Sequence, residues 1–210
     1  MNKLTEPNKN CSKCKRLYSF RKENKSNNPE WFNAPVPSFG DFSSSLLIVG
    51  LAPGLQGANK TGRPFTGDYA GDLLYKTIYK FGLSNGKYKG SIDDNLRLED
   101  CTITNAVRCV PPKNKPISEE INNCNIFLQN TINKHKNLKV IIALGLIAHK
   151  SIISALNLQQ KLYKFKHGNK HYFNNFIMID SYHCSRYNTN TGRLNEKMFE
   201  NIFSEAKKEI

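Results

Sequence analysis

Four of the six cysteines fall where they can hold a metal: Cys11 and Cys14 form a C-x2-C pair in "CSKCKRL", and Cys109 ("VRCVPP") and Cys124 ("INNCNIF") have fourteen residues between them. Joined, these four make a four-thiolate site. Tetrahedral sulfur suits zinc or an iron–sulfur cluster, so the spacing leaves the metal open. The other reading of Cys109 and Cys124 is ordinary buried thiols, and Cys101, at the start of an apolar run, reads as core. A second stretch, "GANKTGRPFTGD" from Gly57 to Asp68, spends three glycines and a proline on twelve residues. It is too glycine-rich for a helix or strand, yet it carries the aromatic Phe65 and closes on the carboxylate of Asp68.

Elements that position these groups are legible around them. Four short apolar, β-rich runs each lead into a loop of unusual composition: "SLLIVG" (45–50), "CTIT" (101–104), "LKVIIAL" (138–144) and "FIMID" (176–180). Helical candidates lie between and after them: 70–83, 118–135, the segment after Gly145, and the tail "NEKMFENIFSEAKKE". Ser118 followed by Glu119 and Glu120 gives a cap and an acidic first turn. Continuous apolar strands alternating with amphipathic helices predict a parallel sheet covered on both faces, with ligands beyond the carboxyl ends of the strands.

The 210 residues predict one domain. Lys and Arg number 31 against 17 Asp and Glu, and this excess favours a polyanionic partner, nucleic acid first. The start "MNKLTEPNKN" lacks the apolar core of a signal peptide, and the longest apolar run, "VIIALGLIA", has nine residues, too short to span a bilayer. A soluble, cytoplasmic protein is therefore expected, with reduced thiols rather than a disulfide framework.

Three segments, "GLAPGLQGANKTGRPFTGDYAGDLLY", "ITNAVRCVPPKNKP" and "SYHCSRYNTNTGRL", resemble the signature motifs of the uracil-DNA glycosylase superfamily, and "CSKCKRL" resembles the first two cluster ligands of its iron–sulfur branch, family five or type B. The resemblance implies a three-layer α/β/α sandwich on a four-stranded parallel sheet. It also implies a [4Fe–4S] cluster on Cys11, Cys14, Cys109 and Cys124 that ties in the amino-terminal segment (about residues 1–40). DNA is the implied partner, and a monomer the implied state.

The resemblance further assigns roles at the strand-end loops. A flipped base needs a π-face, a reader of its Watson–Crick edge and a donor for the charge leaving on it. Phe65 would stack, and Asn105, whose carboxamide both donates and accepts, would read uracil. His183 would donate to uracil O2 as charge develops. Gly50 and Ala52 would line the pocket at the exit of the first strand, where Leu51 and Ala52 stand instead of the polar residue of other branches. Asp68 would be the catalytic carboxylate, a role compatible with capping the helix after it, and Asp72 is its competitor. Lys60, Arg63 and Arg108 would contact phosphate, as would Lys113 and Lys115. In "SRYNTNTGR", Arg186, Tyr187 and Arg193 would approach the vacated strand. Cys184 replaces the family's usual proline after the histidine, which relaxes that loop. The expected activity is a monofunctional glycosylase that removes uracil, with hypoxanthine and other deaminated bases as further substrates, since no matching motif places a lysine for Schiff-base chemistry. The alternatives are a non-catalytic iron–sulfur DNA-binding or scaffold protein, and a zinc-bound nucleic-acid module.

Overall fold

The structure, a computed structural model, describes residues 6–210; the reading of the extreme amino terminus at residues 1–5 lies outside the described residues. In chain order the strands are β1 (Phe39–Gly40), β2 (Leu46–Gly50), β3 (Ser84–Asn85), β4 (Arg97–Leu98), β5 (Cys101–Asn105), β6 (Val140–Leu144), β7 (Lys170–Tyr172) and β8 (Ile177–Ser181). The helices are α1 (Lys15–Asn27), α2 (Ala58–Thr61, a single turn inside the glycine-rich stretch expected to form no helix), α3 (Tyr69–Lys80), α4 (Ser118–Lys134), α5 (Leu146–Ala155), α6 (Arg186–Asn190) and α7 (Glu196–Lys207).

The main sheet runs β1-β5-β2-β6-β8-β7. Its four inner strands are parallel, as expected, and all five residues of each are buried. That double burial is why they read as unbroken apolar runs instead of alternating ones. The sheet nevertheless has six strands, because β1 and β7 add antiparallel edges. Two and three residues long, they are too short to leave a periodic signal.

Side chains of β2 show how the layers are divided. Leu46 and Ile48 join α3 (Leu74, Tyr75, Ile78) and α7 (Phe199, Ile202, Phe203) on one face, while Leu47 and Val49 join α4 (Leu128, Ile132) and α5 (Ala148, Ile152) on the other. Each such side chain contributes about 1.5–3 kcal/mol when fully buried. A third, smaller cluster of Leu17, Val107, Cys109, Cys124 and Phe127 fastens α1 to the loop after β5 and to α4. Cys101 is buried in the first core, as its position suggested. Ser118 is not the cap of α4: Ile117 is, and Glu120 reaches back to accept from its backbone N–H at 2.9 Å.

Two residues expected to contact phosphate are instead internal bolts. The Arg63 guanidinium forks onto Asp94 at 2.8 and 2.7 Å and also donates to the Ser91 carbonyl. Burial opposes ionisation of Asp94, yet Arg63 and the backbone N–H groups of Lys89 and Leu96 hold its carboxyl down at about 2. Arg108 is 1 % exposed and donates to Glu6, Ser38 and Thr131. Both were read as surface cations because loop position says nothing about which way a long side chain turns. We predict that Arg108→Ala lowers stability by about 3 kcal/mol, the low end for a buried pair because Glu6 is partly exposed. Denaturant midpoints check this; a variant of wild-type stability whose DNA binding loses one charge's worth of salt dependence would restore the phosphate role.

Candidate active site

In the parallel set the chain moves from β2 outward to β5, then crosses back over β2 to β6 and on to β8. The reversal lies beside β2, and a crevice is expected at the strand ends there. A cleft of about 840 Å³ opens at that place, lined by the loops after β2, β5, β6 and β8. Gly50, the last residue of β2, is paired with Asn105, the last of β5, and the pairing continues past the strands through Ala106 N–H to Gly50 O and Val107 N–H to Leu51 O. A Cβ on Gly50 would stand 2.4 Å from Asn105 Oδ1 and 2.5 Å from Phe65 Cζ. Only the missing side chain lets amide and ring meet over the strand end.

Phe65 holds a left-handed backbone (φ +55°), which for a bulky residue costs on the order of 1–3 kcal/mol. Its neighbours fix it there. Tyr88 Oη donates to the Phe65 carbonyl and Tyr75 Oη to that of Pro64, the two tyrosine rings stack at 4.4 Å, and Arg63 Nε donates to Thr66 Oγ1. The Phe65 ring is buried and lies 5.8 Å from the His183 ring, 26° from parallel.

His183 keeps a partly exposed edge, but its Nδ1 is buried without a partner. Burial pushes its pKa down to about 4, so the imidazole is neutral at ordinary pH. Asn188 Nδ2 anchors the backbone by donating to the His183 carbonyl at 2.8 Å. Asn105 is buried, and its Oδ1 likewise has no partner. A buried polar atom left unpaired costs about 1–3 kcal/mol, and two that line one cleft point to a polar ligand.

Asp68 caps α3 through Oδ1, which accepts from Gly71 N–H at 3.2 Å. Its Oδ2 faces Gly54 and Gly57, where added Cβ atoms would come within 3.0 and 2.4 Å. Burial raises the carboxyl's pKa, while the N–H groups of Gly71 and Ala70 oppose that rise. Asp68 is thus a half-buried carboxylate held by a helix amino terminus and aimed into the cleft. Asp72 is exposed and does not line it.

The structure therefore brings Ala52, Phe65, Asp68, Asn105 and His183 to one cleft beside Gly50, with Arg186 and Arg193 on its rim. The Arg186 guanidinium lies over the Tyr69 ring and that of Arg193 over Tyr182, so both are positioned yet exposed. Tyr187 is 72 % exposed on α6, a short helix where a loop was expected. Lys60 is exposed outside the cleft, near Trp31. Arg63 and Arg108 do not join this surface. Sequence reasoning missed Tyr69, Phe165 and Tyr182 in the wall, and nothing in their local composition marks them; the Gly54 and Gly57 cradle was visible as a glycine spacing around the later carboxylate.

A second, small cavity is lined by Cys11, Cys14, Cys109 and Cys124, all free thiols. Burial pushes Cys109 up to about 12 and Cys124 up to about 11, and Cys124 Sγ accepts from Arg108 N–H. Four cysteines converging on one space suit a metal that displaces their protons and binds them as thiolates. A single tetrahedral zinc, with Zn–S of about 2.3 Å, needs its sulfurs within about 4 Å of one another. Four thiolate ligands suit zinc or an iron–sulfur cluster alike.

The His183 geometry gives a prediction about pH. Below about pH 6.5 the unfolded chain takes up a proton that the folded ring refuses, so this residue's contribution to stability falls as pH drops towards about 4. The ring NMR signals of His183 should show no titration between pH 5 and 8; a midpoint near 6.5 would contradict a desolvated neutral imidazole.

Comparison with known proteins meets this geometry. A family model described as the uracil DNA glycosylase superfamily matches residues 37–207. The "Type-5 uracil-DNA glycosylase" of Thermus thermophilus is 40% identical over 206 residues, covering 94% of this chain and 93% of that protein. That of Pyrobaculum aerophilum is 36% identical over 201 residues, covering 94% and 88%. A "Type-4 uracil-DNA glycosylase" of the same archaeon is 36% identical over 157 residues, 74% of this chain and 66% of that one. The chain belongs to the uracil DNA glycosylase superfamily.

Proposed function

We propose that this protein is a monofunctional DNA glycosylase that excises uracil from DNA by hydrolysis and leaves an abasic site. The observation that carries the reading is the convergence of Phe65, Asp68, Asn105 and His183 on one cleft, with two of their buried polar atoms unpaired. The relatives named as type-5 uracil-DNA glycosylases, similar over nearly the whole chain, support the same substrate.

The residues divide the work by chemistry. The target nucleotide leaves the duplex and its base lies against Phe65, whose fixed backbone presents the ring without further ordering. The Asn105 carboxamide pairs with the uracil O4 and N3–H edge; its Oδ1 is ready to accept. As the C1′–N1 bond breaks, the bonding pair leaves on the base and charge grows on O2, where neutral His183 donates an N–H. The sugar becomes oxocarbenium-like, and the Asp68 carboxylate stabilises that cation and orients the water that adds to C1′; the proton the water loses ends on the uracil anion, giving neutral base and abasic sugar. Leu51 and Ala52 place no polar group at the mouth of β2, so the site also tolerates hypoxanthine and other deaminated bases. Arg186, Arg193 and Lys60, with Lys113 and Lys115, contact phosphates, and the exposed Tyr187 fills the space the base vacates.

Cys11, Cys14, Cys109 and Cys124 would hold the [4Fe–4S] cluster, as the free, converging thiols fit. When bound, it serves as a cross-link between the amino-terminal segment, the loop after β5 and α4. Cys109 follows Asn105 by four residues, so the same stretch of chain carries a cluster ligand and the base-reading amide. The protein works as a soluble monomer on DNA.

Labelled duplexes with one uracil, hypoxanthine or xanthine, treated with and without alkali, test this reading. Strand breaks that appear only after alkali are expected. Asp68→Ala and His183→Ala should lower the single-turnover rate by at least about 100-fold with DNA affinity nearly unchanged. No product from folded, iron-replete protein on any duplex or single strand would leave a non-catalytic DNA-binding protein on the same fold.

A further inference from the structure

At the sheet edge opposite β1, a second set of ligating side chains stands apart from the glycosylase cleft. His149 on α5 and Asp180 on β8 are fully buried, and His171 on the edge strand β7 is only partly so. One donor atom of each lies within 4.8 Å of the other two. We propose that His149, His171 and Asp180 form a binding site for one zinc-class divalent cation.

The convergence of two imidazoles on one buried carboxylate carries the inference. His149 Nδ1 is 2.7 Å from Asp180 Oδ1 and its Nε2 is 3.0 Å from the Tyr163 carbonyl oxygen. Both neighbours are acceptors, but a neutral imidazole has one N–H. If Nε2 donates to Tyr163, the Nδ1 lone pair faces a carboxylate, an arrangement relieved either by a second ring proton or by a metal ion that takes both atoms as ligands. A ring whose far nitrogen donates to a backbone carbonyl is also how metal-ligating histidines are commonly oriented. His171 approaches the same carboxylate from the other side, with Nε2 2.9 Å from Asp180 Oδ2. Two imidazoles and a carboxylate are a zinc-type donor set, with a fourth position left to water.

Other contacts agree with a structural ion. Lys166 N–H donates to Asp180 Oδ2, and the Phe165 and Tyr163 rings pack edge-on against His149 and His171, walling the site. The partly exposed His171 leaves an entry path. An ion here ties α5, β7 and β8 to the 163–168 segment, which carries Phe165 into the wall of the cleft. Asp180 is three residues before His183, and Tyr182 N–H donates to His167 Nδ1 in the same segment. The cation would thus stiffen the His183 side of the cleft without touching the substrate, and the proposal does not depend on which base is removed.

The test is zinc binding to the full chain after mild chelation, by equilibrium dialysis with metal analysis and by thermal unfolding with and without zinc. Wild type, His171→Ala and His149→Gln are compared, each checked for fold by circular dichroism; His171, at the edge, is the substitution least dangerous to folding. The expected result is one zinc in wild type that both variants bind at least about 10-fold more weakly, with a zinc-dependent rise in Tm confined to wild type. Zinc held at the cysteines would persist in every variant and so cancels in the comparison. No uptake by wild type, or equal uptake and affinity in His171→Ala, would overturn the site and leave a proton-bridged His149–Asp180 pair.

Discussion

The room above Gly50 is the constraint on which the rest of the site depends. The parallel pairing of β2 with β5 sets Gly50 opposite Asn105 and brings an amide to the strand end. The loop that follows β2 returns Phe65 to the same point, and any Cβ at position 50 would collide with both. The long glycine-rich loop is what makes that return possible, since Gly54 and Gly57 leave space for the carboxylate of Asp68 as it passes. Three groups of the cleft, contributed from residues 65, 68 and 105, therefore share one cause in backbone left uncovered.

The arrangement costs stability and is supported from outside the cleft. Phe65 sits in a strained backbone region, and Asn105 Oδ1 and His183 Nδ1 are buried without partners. Each is worth on the order of 1–3 kcal/mol against folding. The groups that offset this are the Arg63–Asp94 fork, the Tyr75 and Tyr88 hydroxyls, and four parallel strands buried on both faces. A site held this way meets its ligand already ordered, so binding pairs the orphaned atoms without paying for their placement. The cationic and aromatic groups at and beyond its rim, Arg186, Arg193 and Tyr187, are by contrast exposed to solvent.

The inner sheet, the helices α3, α4, α5 and α7 and the strand-end location of the site were legible because they rest on periodicity and on continuous apolar runs. The residues at the strand ends were legible through motif resemblance, and the structure brings them together. Other features depend on side-chain direction, which a linear pattern does not carry. Arg63 and Arg108 looked like surface cations, and only the positions of Asp94 and Glu6 turn them inward. The two edge strands were too short to register, and α1 was hidden by its charged, weakly amphipathic composition "KRLYSFRKENKSN". The His149–His171–Asp180 group was invisible because its members are spread over three elements that meet only through the β7–β8 pairing and the packing of α5.

The central claim is that Asn105, whose Oδ1 is unpaired, and His183, whose Nδ1 is unpaired, are the partners of the excised base. Titrating free uracil into the protein while following the Asn105 carboxamide and His183 ring signals by NMR tests it most directly. The account predicts that both sets of signals shift together and saturate at one uracil per chain. Uracil that binds, or is excised from DNA, while neither residue responds would contradict it.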